Sequence, residues 1–138
     1  MAKQVLGYDG TDGSRAALDA AVGLAAELGD TLVVVFAHAT SRLGGEVRDY
    51  DDAIREHGRG VLEEARSIAR EAGVEIELVL REQSSAEALI AIADEHDARM
   101  IVVGSYGERP IKSALVGSTP TRLLHLSERP VLVVRAPE

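Results

Sequence analysis

The sequence contains no cysteine among its 138 residues. It therefore forms no disulfide and offers neither a thiolate nucleophile nor a cysteine-based metal site, a composition compatible with the cytoplasm, where we expect the protein to reside. Aromatic residues make up only 3% of the chain, although 46% of its residues are hydrophobic. The core must therefore be built mainly from valine, isoleucine, leucine and alanine, which suits buried strands flanked by helices.

Positive charge and long apolar segments are also scarce. The formal net charge is -8, which repels polyanions and argues against general nucleic-acid binding. No apolar run approaches the roughly 20 residues of a membrane-spanning helix, and no signal-like apolar segment precedes Gly7. We therefore expect neither a nucleic-acid nor a membrane partner. The length favours a single domain that covers residues 1–138.

Apolar runs and helical stripes alternate along the chain and predict five strands and four helices. The strands are expected at residues 4–8, 31–39, 74–80, 100–103 and 130–134. The helices are expected from about Gly13 to Gly29, from Ile54 to Gly73, after Ser84, and over residues 119–126. Residues 40–50 read as a loop, and Ser84 and Glu87 have the spacing of a capping box.

This alternation predicts an α/β fold with a parallel sheet that helices cover on both faces. If the strand order is 3-2-1-4-5, it reverses between the first and fourth strands, and ligands bind beyond the carboxyl ends of strands at such a point. Asp9-Gly10-Thr11 follows the first strand and Gly104 follows the fourth. The predicted topology therefore brings these two segments to one crevice.

The strongest functional signal is the segment from Gly104 to Ser118. Gly104 and Gly107 are separated by two residues, and nine more residues lead to Gly117-Ser118 just before the last predicted helix. A helix start offers unpaired backbone N–H groups, and glycines let a phosphate approach the backbone closely. Ordinary loop glycines are the alternative. The segment is not a P-loop, because Ile111 precedes Lys112, and the first loop lacks the dinucleotide fingerprint.

The remaining polar residues are less informative. Asp9 could orient a ribose or base, hold a divalent cation through water, or simply cap the first helix, and Thr11 could also be only a cap. The four histidines are scattered without ligand spacing, and no Ser-His-Asp arrangement or acid-base pair stands out. We therefore nominate no catalytic residue and no metal ligand.

Taken together, four features of the chain resemble the universal stress protein family. They are the first strand that ends in Asp-Gly-Thr, the second strand that ends near His38-Ala39, the glycine segment, and the terminal Arg129-Pro130-Val-Leu-Val-Val-Arg135. The resemblance covers essentially the whole chain. It implies a Rossmann-like domain that binds ATP, with or without Mg²⁺. It also implies a homodimer joined through the last strand, here Val131, Leu132, Val133 and Val134.

The resemblance further implies roles for individual residues. The triphosphate and ribose would be held by Gly104, Gly107, Gly117 and Ser118, with backbone contacts from Thr119. The adenine side would be formed by Asp9, which Gly10 and Thr11 follow. The base pocket would be lined by Ala39 and Val103. Two positions depart from the family pattern. Thr11 stands where serine is more usual, and Pro120 removes one N–H donor from the first turn of the last helix.

The sequence thus predicts an ATP-binding stress-response protein whose nucleotide conditions dimer stability or the choice of an unidentified protein partner. Backbone donors bind ground state and transition state alike, so they favour binding over turnover. Two alternatives stay open. One is a slow Mg²⁺-dependent ATPase or phosphotransferase that uses Asp9. The other is an interaction module that binds no nucleotide.

Overall fold

The computed structural model of the protein describes residues 2–39, 46–105 and 117–136. Strands and helices alternate throughout, as the sequence predicts. In chain order they are β1 (Lys3–Gly7), α1 (Asp12–Leu28), β2 (Thr31–His38), α2 (Glu46–Glu71), β3 (Ile76–Glu82), α3 (Ser85–Glu95), β4 (Met100–Gly104), α4 (Ser118–Leu126) and β5 (Val131–Val134). None of the described helices combines the length and apolar character needed to cross a membrane.

The five strands form one sheet of order β3-β2-β1-β4-β5 in which every neighbouring pair is parallel. This confirms the predicted order. Val5 on β1 lies opposite Val33 on β2 and Ile101 on β4, so the order reverses around β1. The carboxyl ends of β1 and β4, at Gly7 and Gly104, therefore flank the expected ligand crevice.

Two apolar layers hold helices on the two faces of the sheet. Consecutive strand residues point to opposite faces, so Leu6 packs into one layer while Val5 packs into the other. The first layer joins the sheet to α1 and α2, and the second joins it to α3 and α4. Leu89 and Leu123 are the fully buried leucines that α3 and α4 contribute to the second layer. These two helices thus share one face and start at the same edge of the sheet.

The helix α2 begins earlier than the sequence indicates. Residues 40–50 were expected to form a loop, but the helix starts at Glu46, so this expectation is wrong over residues 46–50. The cause is Asp51, which is only 8% exposed and occupies an inward position one turn before Ile54. Because a carboxylate fills that position, the apolar stripe in the sequence starts only at Ile54, after the helix itself has begun. Residues 40–45 lie outside the described residues.

The strand β3 is displaced by two residues from its expected position at 74–80, since it runs from Ile76 to Glu82. The N–H of Val74 donates to the carbonyl of Ala69, so this buried residue belongs to the turn that closes α2. The expected position of β3 at the rim of the sheet is confirmed by the strand order. The boundary was misplaced because Val74 is an apolar residue that is buried before the strand starts.

The connection from α4 to β5 is short and held by side chains. The N–H of Arg129 donates to the hydroxyl of Ser127 at 3.0 Å. The Arg129 guanidinium donates to the carbonyl of Ala98 at 2.6 Å and to the carboxylates of Asp94 and Asp97. This connection is therefore bonded to the end of α3 and the turn that follows it.

Candidate functional site

A cavity of about 130 Å³ opens at the carboxyl edge of the sheet, between the strand ends and the starts of α3 and α4. We call it the inner cavity. Val35, Leu89 and Val103 give it an apolar wall, while Asp9 and Ser14 lie among its polar lining residues. It therefore suits a ligand with a flat apolar part and polar edges.

A second cavity of about 550 Å³, here called the outer cavity, adjoins the first. Both cavities are lined by Ala37, Ser85, Ser118 and Thr119, so they form one continuous groove. Ligand sites usually measure about 300–1,000 Å³. The inner cavity is smaller than that, so a ligand of nucleotide size needs space in both cavities.

The start of α4 presents backbone donors to both cavities. Gly117 is the N-cap residue, and its own N–H donates to the carbonyl of Ser105 at 2.6 Å. The N–H of Thr121 donates to the Gly117 carbonyl at 3.2 Å, and Pro120 has no N–H. The N–H groups of Ser118 and Thr119 therefore have no acceptor within the helix. Together with the helix dipole they favour an anion at this position.

The start of α3 forms the opposite wall of the outer cavity. Ser84 is its N-cap residue, but the side chain makes no hydrogen bond to a helix N–H. The Ser84 hydroxyl instead donates to the carboxylate of Glu87, so the predicted capping pair meets through its side chains alone. Glu87 also accepts a hydrogen bond from Arg122 of α4. The Ser84 hydroxyl, and after it the Arg122 guanidinium, lower the pKa of Glu87 to about 2.

The structure brings together most of the residues that the sequence nominates. Six of them line the inner cavity: Asp9, Val103, Gly104, Gly117, Ser118 and Thr119. Ala39 lines the outer cavity. Gly10 and Thr11 are not among the lining residues of either cavity. Gly107 lies outside the described residues, as does the rest of the segment from 106 to 116.

Hydrogen bonds of Asp9 and Thr11 hold the turn after β1 and cap the helix that follows. The Asp9 carboxylate accepts hydrogen bonds from the N–H of Thr11 at 3.0 Å and from its hydroxyl at 2.6 Å. The Thr11 hydroxyl accepts from the N–H of Ser14 at 3.3 Å and so caps α1. Thr11 therefore acts as a cap, whereas Asp9 stabilises the turn and also lines the inner cavity.

Several lining residues were not anticipated from the sequence. Ala37 lies two positions before Ala39, on the strand face shared with Val35, so strand alternation was a usable signal for it. Ser85 follows the edge strand β3 and could have been found by the rule that ligands bind beyond strand ends. Leu89 and Arg122 carried no such signal, because their positions depend on how α3 and α4 pack.

The described ranges bring no three histidine or carboxylate side chains close enough together to hold a metal ion. Among the described lining residues of the inner cavity, Asp9 is the one carboxylate. One carboxylate can bind Mg²⁺ only together with waters or the phosphates of a ligand. A metal-nucleotide complex is therefore the form in which this site could take the cation.

A parallel sheet of order 3-2-1-4-5 with a ligand groove at the reversal of strand order defines the doubly wound α/β class. Within that class the chain belongs to the universal stress protein family, since the family's sequence profile matches residues 1–135. The fold and family inferred from the sequence are thereby confirmed.

Individual relatives support the same conclusion. The universal stress protein YxiE of Bacillus subtilis is 35% identical over 145 residues, which span 96% of this chain and 98% of YxiE. A universal stress protein family structure from Burkholderia pseudomallei is 32% identical, with a TM-score of 0.82 and coverage of 96% of this chain and 95% of that one. A universal stress protein solved in complex with cAMP is 29% identical, with a TM-score of 0.77 and coverage of 99% and 98%.

Proposed function

We propose that the inner and outer cavities together bind an adenine nucleotide, with ATP as the ligand, and that its occupancy conditions dimer or partner interactions in a stress response. The observation that carries the proposal is an apolar cavity wall beside the start of α4, where the N–H groups of Ser118 and Thr119 have no acceptor within the helix. The family member in complex with cAMP, similar over nearly its whole length, supports an adenine nucleotide as the ligand.

The chemistry of the lining suggests how the nucleotide lies. The base packs against Val35, Leu89 and Val103, because these side chains offer apolar surface. The phosphates lie at Ser118 and Thr119, where the helix start favours negative charge. Asp9 and Ser14 then lie within reach of the ribose or the polar edge of the base. The proposed contact residues are Asp9, Ala39, Val103, Gly104, Gly117, Ser118 and Thr119, and the proposal also includes Gly10, Thr11 and Gly107.

The proposal is for binding, with turnover as a secondary property at most. Backbone N–H groups at a helix start hold a phosphate equally well before and during reaction, and such uniform binding does not accelerate a chemical step. Binding without turnover still has a measurable consequence for the stability of the protein. A ligand that binds only the folded state stabilises it by about 2.7 kcal/mol at a concentration 100 times its dissociation constant.

The test is a titration of the purified chain with ATP, with and without Mg²⁺, by calorimetry and thermal unfolding. Ala37→Leu should abolish binding, because the larger side chain enters the space that both cavities share. Gly117→Val should weaken binding at the helix start, and its extended backbone angles accept valine without strain. Ala26→Leu, an exposed site on α1, is the matched control and should bind as the wild type does.

Two outcomes would overturn the proposal. One is unchanged ATP affinity in a folded Ala37→Leu variant, which would place the ligand elsewhere. The other is a flat titration of the wild-type protein with ATP and Mg²⁺, which would favour the interaction module that binds no nucleotide. Circular dichroism of each variant separates loss of binding from loss of fold.

The same proposal includes a homodimer through β5, which lies at the edge of the sheet. Pro130 and Val134 accept hydrogen bonds from Ile101 and Ser105 on the β4 side. Backbone groups alternate in direction along a parallel strand, so those of Val131 and Val133 point to the free edge. No other described strand pairs with this edge, and such an edge is a surface on which a second copy can pair.

A further inference from the structure

An ion pair joins the two helices that form the walls of the outer cavity. Arg122 of α4 donates to the carboxylate of Glu87 on α3. The Arg122 side chain is 56% exposed and that of Glu87 is 34% exposed, and both line the cavity. Neither side chain is committed to the apolar core. Both are therefore able to respond to a ligand that enters the cavity.

Arg122 is well placed relative to the proposed phosphate position. It follows Ser118 by four residues and Thr119 by three, so all three lie on one face of α4. One helical turn rises about 5.4 Å, a distance that an arginine side chain covers when it extends toward the helix start. Among the described residues that line the outer cavity, Arg122 is the one arginine or lysine. A phosphate that extends past Ser118 along this face of α4 would thus come within reach of this guanidinium.

Glu87 holds the opposite charge in the same cavity, as the one carboxylate among its described lining residues. It engages the guanidinium that a phosphate would need, and its own charge repels a phosphate nearby. Discrimination between ligands often combines an attractive contact with a repulsive one. Glu87 and Arg122 supply these two contacts side by side.

We propose that Arg122 is the counter-ion for the outer phosphates of the nucleotide and that Glu87 competes with them for it, so that this pair sets selectivity by phosphate number. The inference rests on the proposed function, since it assigns the outer part of the same ligand. Adenosine and AMP are too short to engage the pair strongly, whereas ADP and ATP extend toward it. The balance between the two contacts decides how much affinity each added phosphate brings.

The experiment is a calorimetric titration with adenosine, AMP, ADP and ATP of the wild type, Arg122→Gln, Glu87→Gln and the double variant. Arg122→Gln should lower ATP affinity about fivefold, the scale of an exposed ion pair, and Glu87→Gln should raise it by about the same factor. Adenosine affinity should stay constant. Both effects should shrink at high salt because the groups are partly exposed. The loss caused by Arg122→Gln should be larger when Glu87 is already glutamine.

The matched controls are Arg81→Gln and Glu95→Gln. These residues form an ion pair of 3.0 Å between β3 and the far end of α3, and neither lines the inner or the outer cavity. They change the net charge by the same amounts as the test variants, so they measure any general effect of net charge on nucleotide affinity. The four nucleotide affinities of both control variants should match those of the wild type.

The possible failures are distinguishable. If wild-type protein binds ATP but the ATP-to-AMP affinity ratio in the Arg122 and Glu87 variants equals that of the controls, the inference is overturned and the proposed function stands. If Glu87→Gln lowers ATP affinity as much as Arg122→Gln does, Glu87 is a supporting residue and its competitive role is overturned. If the wild type binds none of the four ligands, the proposed function is overturned together with the inference.

Discussion

Gly104 and Gly13 meet backbone to backbone, since a Cβ on Gly104 would lie 2.6 Å from both the carbonyl carbon and the carbonyl oxygen of Gly13. The first turn of α1 thereby packs directly on the end of β4. The sequence offered two reasons for Gly104, the close approach of a phosphate and the needs of an ordinary loop. The structure adds another, because only glycine permits this contact between the two elements.

Gly104→Ala should therefore destabilise the fold even when no nucleotide is present. Backbone atoms cannot yield as a flexible side chain does, so we expect a loss of about 1–3 kcal/mol in the free energy of unfolding, typical of overpacking. Urea unfolding of the nucleotide-free protein measures it. Gly23→Ala is the control, since a Cβ there meets nothing within 4 Å, so it should gain up to about 1 kcal/mol from helix propensity without any packing cost. An unchanged unfolding midpoint for Gly104→Ala would contradict the packing role.

Two glycines of α2 provide a second comparison. A Cβ on Gly58 would lie 2.6 Å from Cδ1 of Phe36 and 2.8 Å from Cδ1 of Leu80, whereas one on Gly60 would meet nothing within 4 Å. Gly60→Ala should stabilise the protein by up to about 1 kcal/mol through helix propensity. Gly58→Ala should destabilise it by about 1 kcal/mol or more, because Phe36 is buried and must shift.

Thermal and urea unfolding of the two single variants test this comparison. Equal stabilisation by both substitutions would show that Phe36 and Leu80 move aside without cost, and the packing explanation for Gly58 would fail. Of the two glycines, the structure shows close packing for Gly58 alone.

The buried Tyr8 predicts a pH dependence at alkaline pH. Burial, and after it the hydrogen bond that its hydroxyl donates to Glu64 at 3.0 Å, raises the pKa of Tyr8 from 10.0 to about 12. Because the folded pKa is the higher one, the stabilisation is fully present below pH 10 and is lost as pH rises toward 12. Tyr8→Phe should remove this part of the pH dependence.

The measurement is the free energy of unfolding of wild type and Tyr8→Phe as a function of pH. The two curves should lie apart below pH 10 and converge above it. Parallel curves across this range would show that Tyr8 ionises alike in the folded and unfolded chain. The Glu64 side chain is about half exposed and has an ion pair of 3.5 Å with Arg15, so removal of the Tyr8 hydroxyl does not leave it as an unpaired buried charge.

The edge strand β5 gives a fourth prediction. Val133→Pro removes an N–H that points to the free edge and leaves the hydrogen bonds to β4 in place. It should convert the proposed dimer to a monomer, as measured by the mass from light scattering of the protein eluting from a size-exclusion column. Val133→Ala is the control, because it shortens a side chain that packs against the α3 and α4 layer but keeps the N–H.

A folded Val133→Pro variant that keeps the dimer mass would refute pairing through this edge. A charged residue at Val133 is a poorer probe. It would disturb the apolar layer as well as the edge, so a change of mass would have two explanations.

The sequence was most informative where a signal is local. The alternation of strands and helices followed from apolar periodicity. With the order 3-2-1-4-5 assumed, the meeting of Asp9 with Gly104 followed from the rule for strand ends, since both residues lie at the carboxyl ends of central strands. The start of α2 was missed because Asp51 occupies an inward position. Leu89 and Arg122 were missed because their place in the groove depends on tertiary packing, which leaves no pattern in the chain itself.

The connection between α4 and β5 links one wall of the groove to the edge strand. Only Ser127, Glu128, Arg129 and Pro130 separate the helix that faces the proposed phosphates from the edge strand. Arg129 fastens this connector to the end of α3. A connector this short and anchored in this way has little slack, so the end of α4 and the start of β5 are held together against the end of α3.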